Sequence, residues 1–175
     1  MSRRARSGEN SNSALIVTVS PSDFGEGALD GVAFQRRWER AAYAASGGYA
    51  PPAQLLGDFK AGRVSTCLQN VTPSCRAGYK FADINDCLPP YVCKTICSAV
   101  DVFAKKIPVF NSYGSVLCGV ETRTSAPLRM LRGKDCNSSV FGLMPCGEGA
   151  GYSGGITSSA VDGIRVALAC AGIII

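Results

Sequence analysis

Six of the fourteen residues at positions 142–155 are glycine. A glycine inside a helix or strand costs roughly 0.5–1 kcal/mol relative to alanine, so a run this dense folds as a loop. The flanks give the loop a direction. Residues 140–146 read as a strand that enters it. Residues 156–171 read as a helix that leaves it, with Ile156, Ala160, Ile164, Ala167 and Leu168 at helical spacing on the expected buried face. Glycines let a backbone turn tightly and approach a ligand closely. The free N–H groups and the dipole of a helix N-terminus favour phosphate or another anion.

Gly149, Gly151 and Gly154 spell G-x-G-x-x-G. The usual dinucleotide fingerprint opens a βαβ unit and meets an acidic ribose ligand ~20 residues later. Only 21 residues follow Gly154, with no second-strand acid among them, so that fingerprint is not expected. A glycine-rich hairpin or plain tight packing is the competing reading of the segment. Glu148, just before Gly149, is placed to accept hydrogen bonds from ligand hydroxyls or to cap nearby N–H groups.

Composition narrows the chemistry. The chain of 175 residues has no histidine. That excludes Ser-His-Asp and Cys-His nucleophile systems, His-ligated zinc and a His proton shuttle. The net charge is +5, but Arg3, Arg4 and Arg6 supply three of those charges, leaving 15 Lys+Arg against 13 Asp+Glu elsewhere. No nucleic-acid partner is expected, because the remaining basic residues are scattered and do not form a patch with interleaved aromatics. Arg36, Arg37 and Arg40 read as a solvated helix face. No membrane span is expected either: the longest uncharged apolar stretch, 166–175, holds ten residues where a span needs roughly 20. The arginines at the N-terminus have no apolar segment behind them, so no secretory signal is expected. An intracellular, soluble protein follows. The nine cysteines include no C-x-x-C pair, so no metal site is expected; they read as small buried hydrophobes in a reducing compartment.

Along the chain, residues 1–12 are polar and expected to be disordered. Residues 14–19 (ALIVTV) read as a strand. Asp30 caps a helix to about Ser46, ended by Gly47 and Gly48. Residues 53–59 read as a short helical turn after Pro51 and Pro52, and 60–82 as irregular. The clearest helix follows Asp86, with Leu88, Tyr91, Val92, Thr95, Ile96, Ala99 and Phe103 as its stripe, and stops at Pro108. Residues 115–120 and 128–131 read as strands, with a bend at 125–127. Asp162 and Arg165 are expected to be exposed or capping.

Several stretches carry a resemblance: SGENSNSALIVTVSPSDFG (7–25), GVAFQRRWERAAY (31–43), PAQLLGDFKAGR (52–63), LPPYV (88–92), GVETRTSAPLRMLR (119–132) and GLMPCGEGAGYSGGI (142–156). In this order they resemble the C-terminal part of a group of large FAD-dependent proteins. The last segment is similar to the closing segment of dehydrogenases of the glutathione-reductase-like flavoprotein superfamily. The resemblance implies an α/β fold, the C-terminal part of a two-domain, Rossmann-like FAD-binding flavoprotein that is incomplete without its N-terminal half. Beyond the polar stretch at 1–12, it implies a substrate-side or inserted α+β region at 13–115 and a return to the FAD-binding domain at 116–175.

FAD is the cofactor so implied, in a flavin-dependent oxidoreductase whose flavin carries the electron or hydride chemistry. Gly147 and Glu148 match the pair whose acid meets the ribityl chain. Gly149, Gly151, Tyr152, Gly154, Gly155 and Ile156 would face the flavin and pyrophosphate region. Tyr152 would border the isoalloxazine or cover core. Arg123 would hold a substrate carboxylate or the flavin, or stand in an ordinary strand. Cys146 stands where the resemblance implies a small residue such as alanine; packing and a redox role are both open to it. The glycine fingerprint for the ADP half of FAD is not in the chain. The implied partner is therefore a missing N-terminal half, from the same gene or a separate chain, and the chain alone is expected to be inactive and to bind FAD weakly. A different class, a non-catalytic module that keeps the fold without cofactor, stands beside this reading.

Overall fold

The computed structural model describes residue 5 and residues 7–173. Five helices and three short strands appear in the order α1 (Pro21–Phe24), α2 (Asp30–Ser46), β1 (Pro52–Leu55), α3 (Leu56–Ala61), β2 (Lys80–Phe81), α4 (Pro90–Ala104), β3 (Val116–Cys118) and α5 (Ile156–Cys170). Two 3-10 turns, Ile84–Cys87 and Pro108–Asn111, flank α4. The architecture is a small mixed helix and sheet fold. No helix among the described residues is long and apolar enough to cross a membrane.

The chain divides into two units. The first comprises residues 1–19 and 36–122; the second comprises 20–35 and 123–175. In the first unit β1 is the central strand of the order β2-β1-β3, parallel to β2 and antiparallel to β3. All four of its residues are buried. Gln54, fully buried, satisfies its own amide: Nε2 donates to the Arg63 carbonyl at 2.9 Å and to Asp83 at 3.0 Å, and Oε1 accepts from the Ile84 N–H at 2.8 Å. Leu56, Phe59, Ile84, Val92, Cys93, Ile96 and Val100 form the core beside this sheet.

An acidic network closes the same unit. Asp58 accepts from Tyr113 Oη at 2.6 Å, Ser65 Oγ at 2.7 Å and Arg63 Nε at 2.6 Å. These hydrogen bonds, the one from Tyr113 foremost, hold its carboxyl at about 2 against the ordinary 3.8.

The main helices lie close to where the sequence puts them; of the expected strands, 115–120 forms β3 (Val116–Cys118) and the others do not form. Residues 14–19 form no strand: Leu15 and Val17 pack against the core while Ile16 and Val19 are exposed, so the alternation survives without a neighbouring strand to pair with. Residues 53–59 split into the last three residues of β1 and the first four of α3 rather than one helical turn. Residues 128–131 form no strand; Met130 N–H donates to the Ala150 carbonyl at 3.1 Å. Residues 140–146 form no strand: the chain turns at 141–142, where Gly142 takes φ +76° and Leu143 N–H bonds back to Val140, and 143–146 are irregular. α4 begins at Pro90, and the Asp83 side chain caps the 3-10 turn before it. Its buried residues are Val92, Cys93, Ile96 and Val100, while Tyr91 and Phe103 of the expected stripe are exposed.

Three cysteines (Cys87, Cys93 and Cys136) are buried, whereas Cys67, Cys118, Cys146 and Cys170 are exposed by residue area. The reading of all nine as small buried hydrophobes is corrected accordingly. Of the stretch 1–12, residues 1–4 and 6 lie outside the described residues; Asn10 Nδ2 donates to the Thr72 carbonyl at 2.7 Å.

Candidate functional site

The glycine loop belongs to the second unit and runs into α5. Its shape follows from two backbone demands. Gly147 and Gly151 adopt φ +68° and +81°, which side-chain-bearing residues rarely take. Gly151 also lies where a Cβ would stand 2.4 Å from the Leu128 carbonyl oxygen. Between them the chain closes on itself: Gly151 N–H bonds to the Glu148 carbonyl at 2.9 Å, and Tyr152 N–H to the Gly147 carbonyl at 3.1 Å.

The loop is pinned from behind by a cluster that sequence spacing does not reveal. Arg132, 7% exposed at its side chain, grips the Asp162 carboxylate through both terminal nitrogens, at 2.5 and 3.0 Å. The same Nη1 donates to the Pro145 carbonyl at 2.6 Å. Asp162 in turn accepts the Gly147 N–H at 2.8 Å. The Arg132 guanidinium lies 3.7 Å from the Tyr152 ring centroid, and Tyr152 Oη accepts the Arg132 backbone N–H at 3.0 Å. Arg129 adds Nε to the Gly151 carbonyl at 2.9 Å.

Asp162 is therefore no exposed or capping group: it is a partly buried anchor between α5 and the loop. The hydrogen bonds from Arg132 and then from Gly147 hold its carboxyl at about 2, and the same pairing raises the Arg132 pKa.

The front of the loop is open. Glu148, Gly149, Gly154, Gly155 and Ile156 are exposed, and a Cβ built at Gly149 or Gly154 meets nothing within 4 Å. Helix α5 starts from Gly155 with no side-chain cap, so its first N–H groups lack the partner that a Ser, Thr or Asp would supply. Gly147, Gly151 and Tyr152 are brought together in the pinned rear. Arg123 stands exposed at the start of the same unit, and Cys146 is exposed beside Gly147. This arrangement, with a fixed rear, a bare backbone front, one carboxylate and an uncapped helix start, can take hydroxyl donors at Glu148 and an anion at α5.

The fold places α5 with its expected buried face outward. Ile156 and Ile164 are 93% and 62% exposed, while Val166 is buried and Ser159 and Asp162 lie partly covered beside it. The polar contacts of Asp162 and of Ser159, whose hydroxyl is 2.8 Å from that of Ser153, turn that side inward.

A second concavity, in the first unit, holds about 360 Å³ and is lined by Phe59, Lys60, Asn85, Cys93, Lys94 and Cys97 among others. The Lys60 ammonium there is already engaged by Asp101 at 2.7 Å and Asn111 at 2.6 Å.

A family model described as FAD-dependent protein, C-terminal domain-like, matches residues 1–124. An uncharacterized protein of Clostridium beijerinckii is 51% identical over 170 residues, covering 95% of this chain. That share is more than the family match supplies, so the likeness runs on through the glycine loop. The chain spans about a third, 32%, of the length of that relative.

Proposed function

The chain belongs to the FAD-dependent protein C-terminal domain-like family, and from that premise we propose that it supplies the ribityl- and pyrophosphate-facing part of an FAD site in a larger flavin-dependent oxidoreductase. The observation that carries the reading is the pinned loop with its open front, ending at the uncapped N-terminus of α5. Membership of the glutathione-reductase-like superfamily, with a Rossmann-like FAD domain completed by another part of the longer protein, belongs to the same proposal. So does a division into a substrate-side region at 13–115 and a cofactor-side region at 116–175.

The residues present fit the group. Glu148 would accept hydrogen bonds from ribityl hydroxyls, and the backbone N–H groups at 155–156 would face the pyrophosphate. Gly149, Gly151 and Gly154 keep side chains out of that approach. Gly147 and Tyr152 tie the loop to the Arg132–Asp162 pair, so that Glu148 stands on a fixed backbone. When bound, FAD supplies the electron or hydride chemistry; the chain's own residues orient it and set its electrostatics. Arg123 is the proposed contact for an anionic substrate or the flavin.

The test is a chimera in which this chain replaces the matching third of the Clostridium beijerinckii relative. The Glu148→Ala change is expected to lower FAD affinity about tenfold or more, since a hydrogen bond to a charged group is worth ~1.5–3 kcal/mol. Flavin absorbance after gel filtration reads it. Unchanged occupancy removes Glu148 from the site. A folded chimera that never takes up flavin favours the second reading, a non-catalytic module.

A further inference from the structure

Helix α5 carries two charged residues, Asp162 and Arg165, in fifteen. One side, with Ser159, Asp162 and Val166, is occupied by its own unit. The opposite side presents Ile156 (93% exposed), Ala160, Val161 (61%) and Ile164 (62%) to solvent. At 100° per residue these four fall within one arc of the helix. Thr157 is the one polar residue in that arc; Ser158, Ser159, Asp162 and Arg165 lie on the other side of the helix, so the apolar side, which a surface helix keeps covered, is here the side left to solvent.

We propose that this outer face of α5 is a docking surface, and that its occupant is an apolar face on the part of the longer protein outside the third that this chain matches. Two facts select that occupant over a second copy. The relative that is 51% identical over 95% of this chain is about three times as long, so further polypeptide is joined to this unit there. The face also begins at Ile156, the first residue of α5, directly after the open front of the glycine loop. A body seated on the helix is thereby next to the site at Glu148, Gly154 and Gly155. The inference rests on the reading that the chain is one part of a larger flavoprotein, and it names the surface through which the parts join.

Hydroxyl-radical footprinting of this chain alone, and of the chimera with the relative, tests it. Oxidation at Ile156, Val161 and Ile164 is expected to fall about fivefold or more in the chimera, as in the dry centre of an interface. Ile164→Asp in the chimera is expected to restore oxidation at Ile156 and Val161, and Ile164→Leu to keep them protected. The helical circular dichroism of the isolated Ile164→Asp chain, where the position is solvent-facing, checks that the helix survives. Equal oxidation in the two proteins overturns the proposal. So does concentration-dependent protection in the isolated chain alone, with light scattering showing a dimer, because the occupant is then a second copy. Flavin content separates this from the cofactor reading: a protected face without flavin fails only the latter, and bound flavin with an open face fails only the former.

Discussion

Asp162 serves two partners at once, and neither is near it in sequence. It balances a buried guanidinium thirty residues earlier and holds the Gly147 N–H that fixes the loop. Removing one member of a buried pair leaves the other charge uncompensated, so Asp162→Ala is expected to lose about 3 kcal/mol of stability at neutral pH. Urea denaturation followed by circular dichroism measures it. The acid side gives a second readout in the same experiment. Asp162 and Asp58 both have folded pKa values near 2, below the ordinary 3.8, so each favours the folded state above 3.8 and loses that contribution as pH falls from 3.8 towards 2. The gap between wild type and Asp162→Ala is therefore expected to narrow over that window; a constant gap would assign the loss to packing. The loop at 142–155 was legible from its glycine content. Arg132 and Asp162 were not, because a pair thirty residues apart becomes visible only once the chain has folded back.

Among elements, the glycine loop separates conformational need from open space. Gly151 combines φ +81° with a carbonyl oxygen 2.4 Å from any added Cβ, whereas Gly149 has free space around it. Gly151→Ala is expected to destabilise by more than about 1 kcal/mol and Gly149→Ala to stay within about 0.5 kcal/mol of wild type, on the same denaturation curves. If Gly149→Ala nonetheless abolishes flavin uptake in the chimera, its role is ligand approach.

Helices α2, α4 and α5 were legible because a helix satisfies its own backbone, and its caps and breakers sit in local sequence. Strands need a neighbour. Residues 14–19 and 140–146 have the residue types of strands and no ladder partner, while PAQL at β1, with a glutamine in its middle, has partners on both sides. The inverted reading of α5 has the same root: spacing puts its apolar side inward, whereas the partners that draw Asp162 and Ser159 inward are not visible in local sequence.

At the scale of the whole molecule, burial is unequally shared. The first unit holds the large buried residues Leu55, Leu56, Phe59, Ile84, Ile96 and Val100. In the second, the buried apolar side chains are small: Pro145, Cys136, Ala150 and Val166. Local opening follows local burial, so amides of α4 are expected to exchange with solvent more slowly than those of α5 in the isolated chain. Mass-spectrometric hydrogen exchange checks the order, and equal rates would show the two units opening together.

The short central strand carries a kinetic consequence. Ala53 pairs with Phe81 and with Cys118, positions 28 and 65 residues away. Closing the longer loop costs about 0.7 kcal/mol more chain entropy than closing the shorter. Assembly is thereby biased towards β1 meeting β2 first, with β3 completing the sheet after the intervening α4 has formed from local contacts.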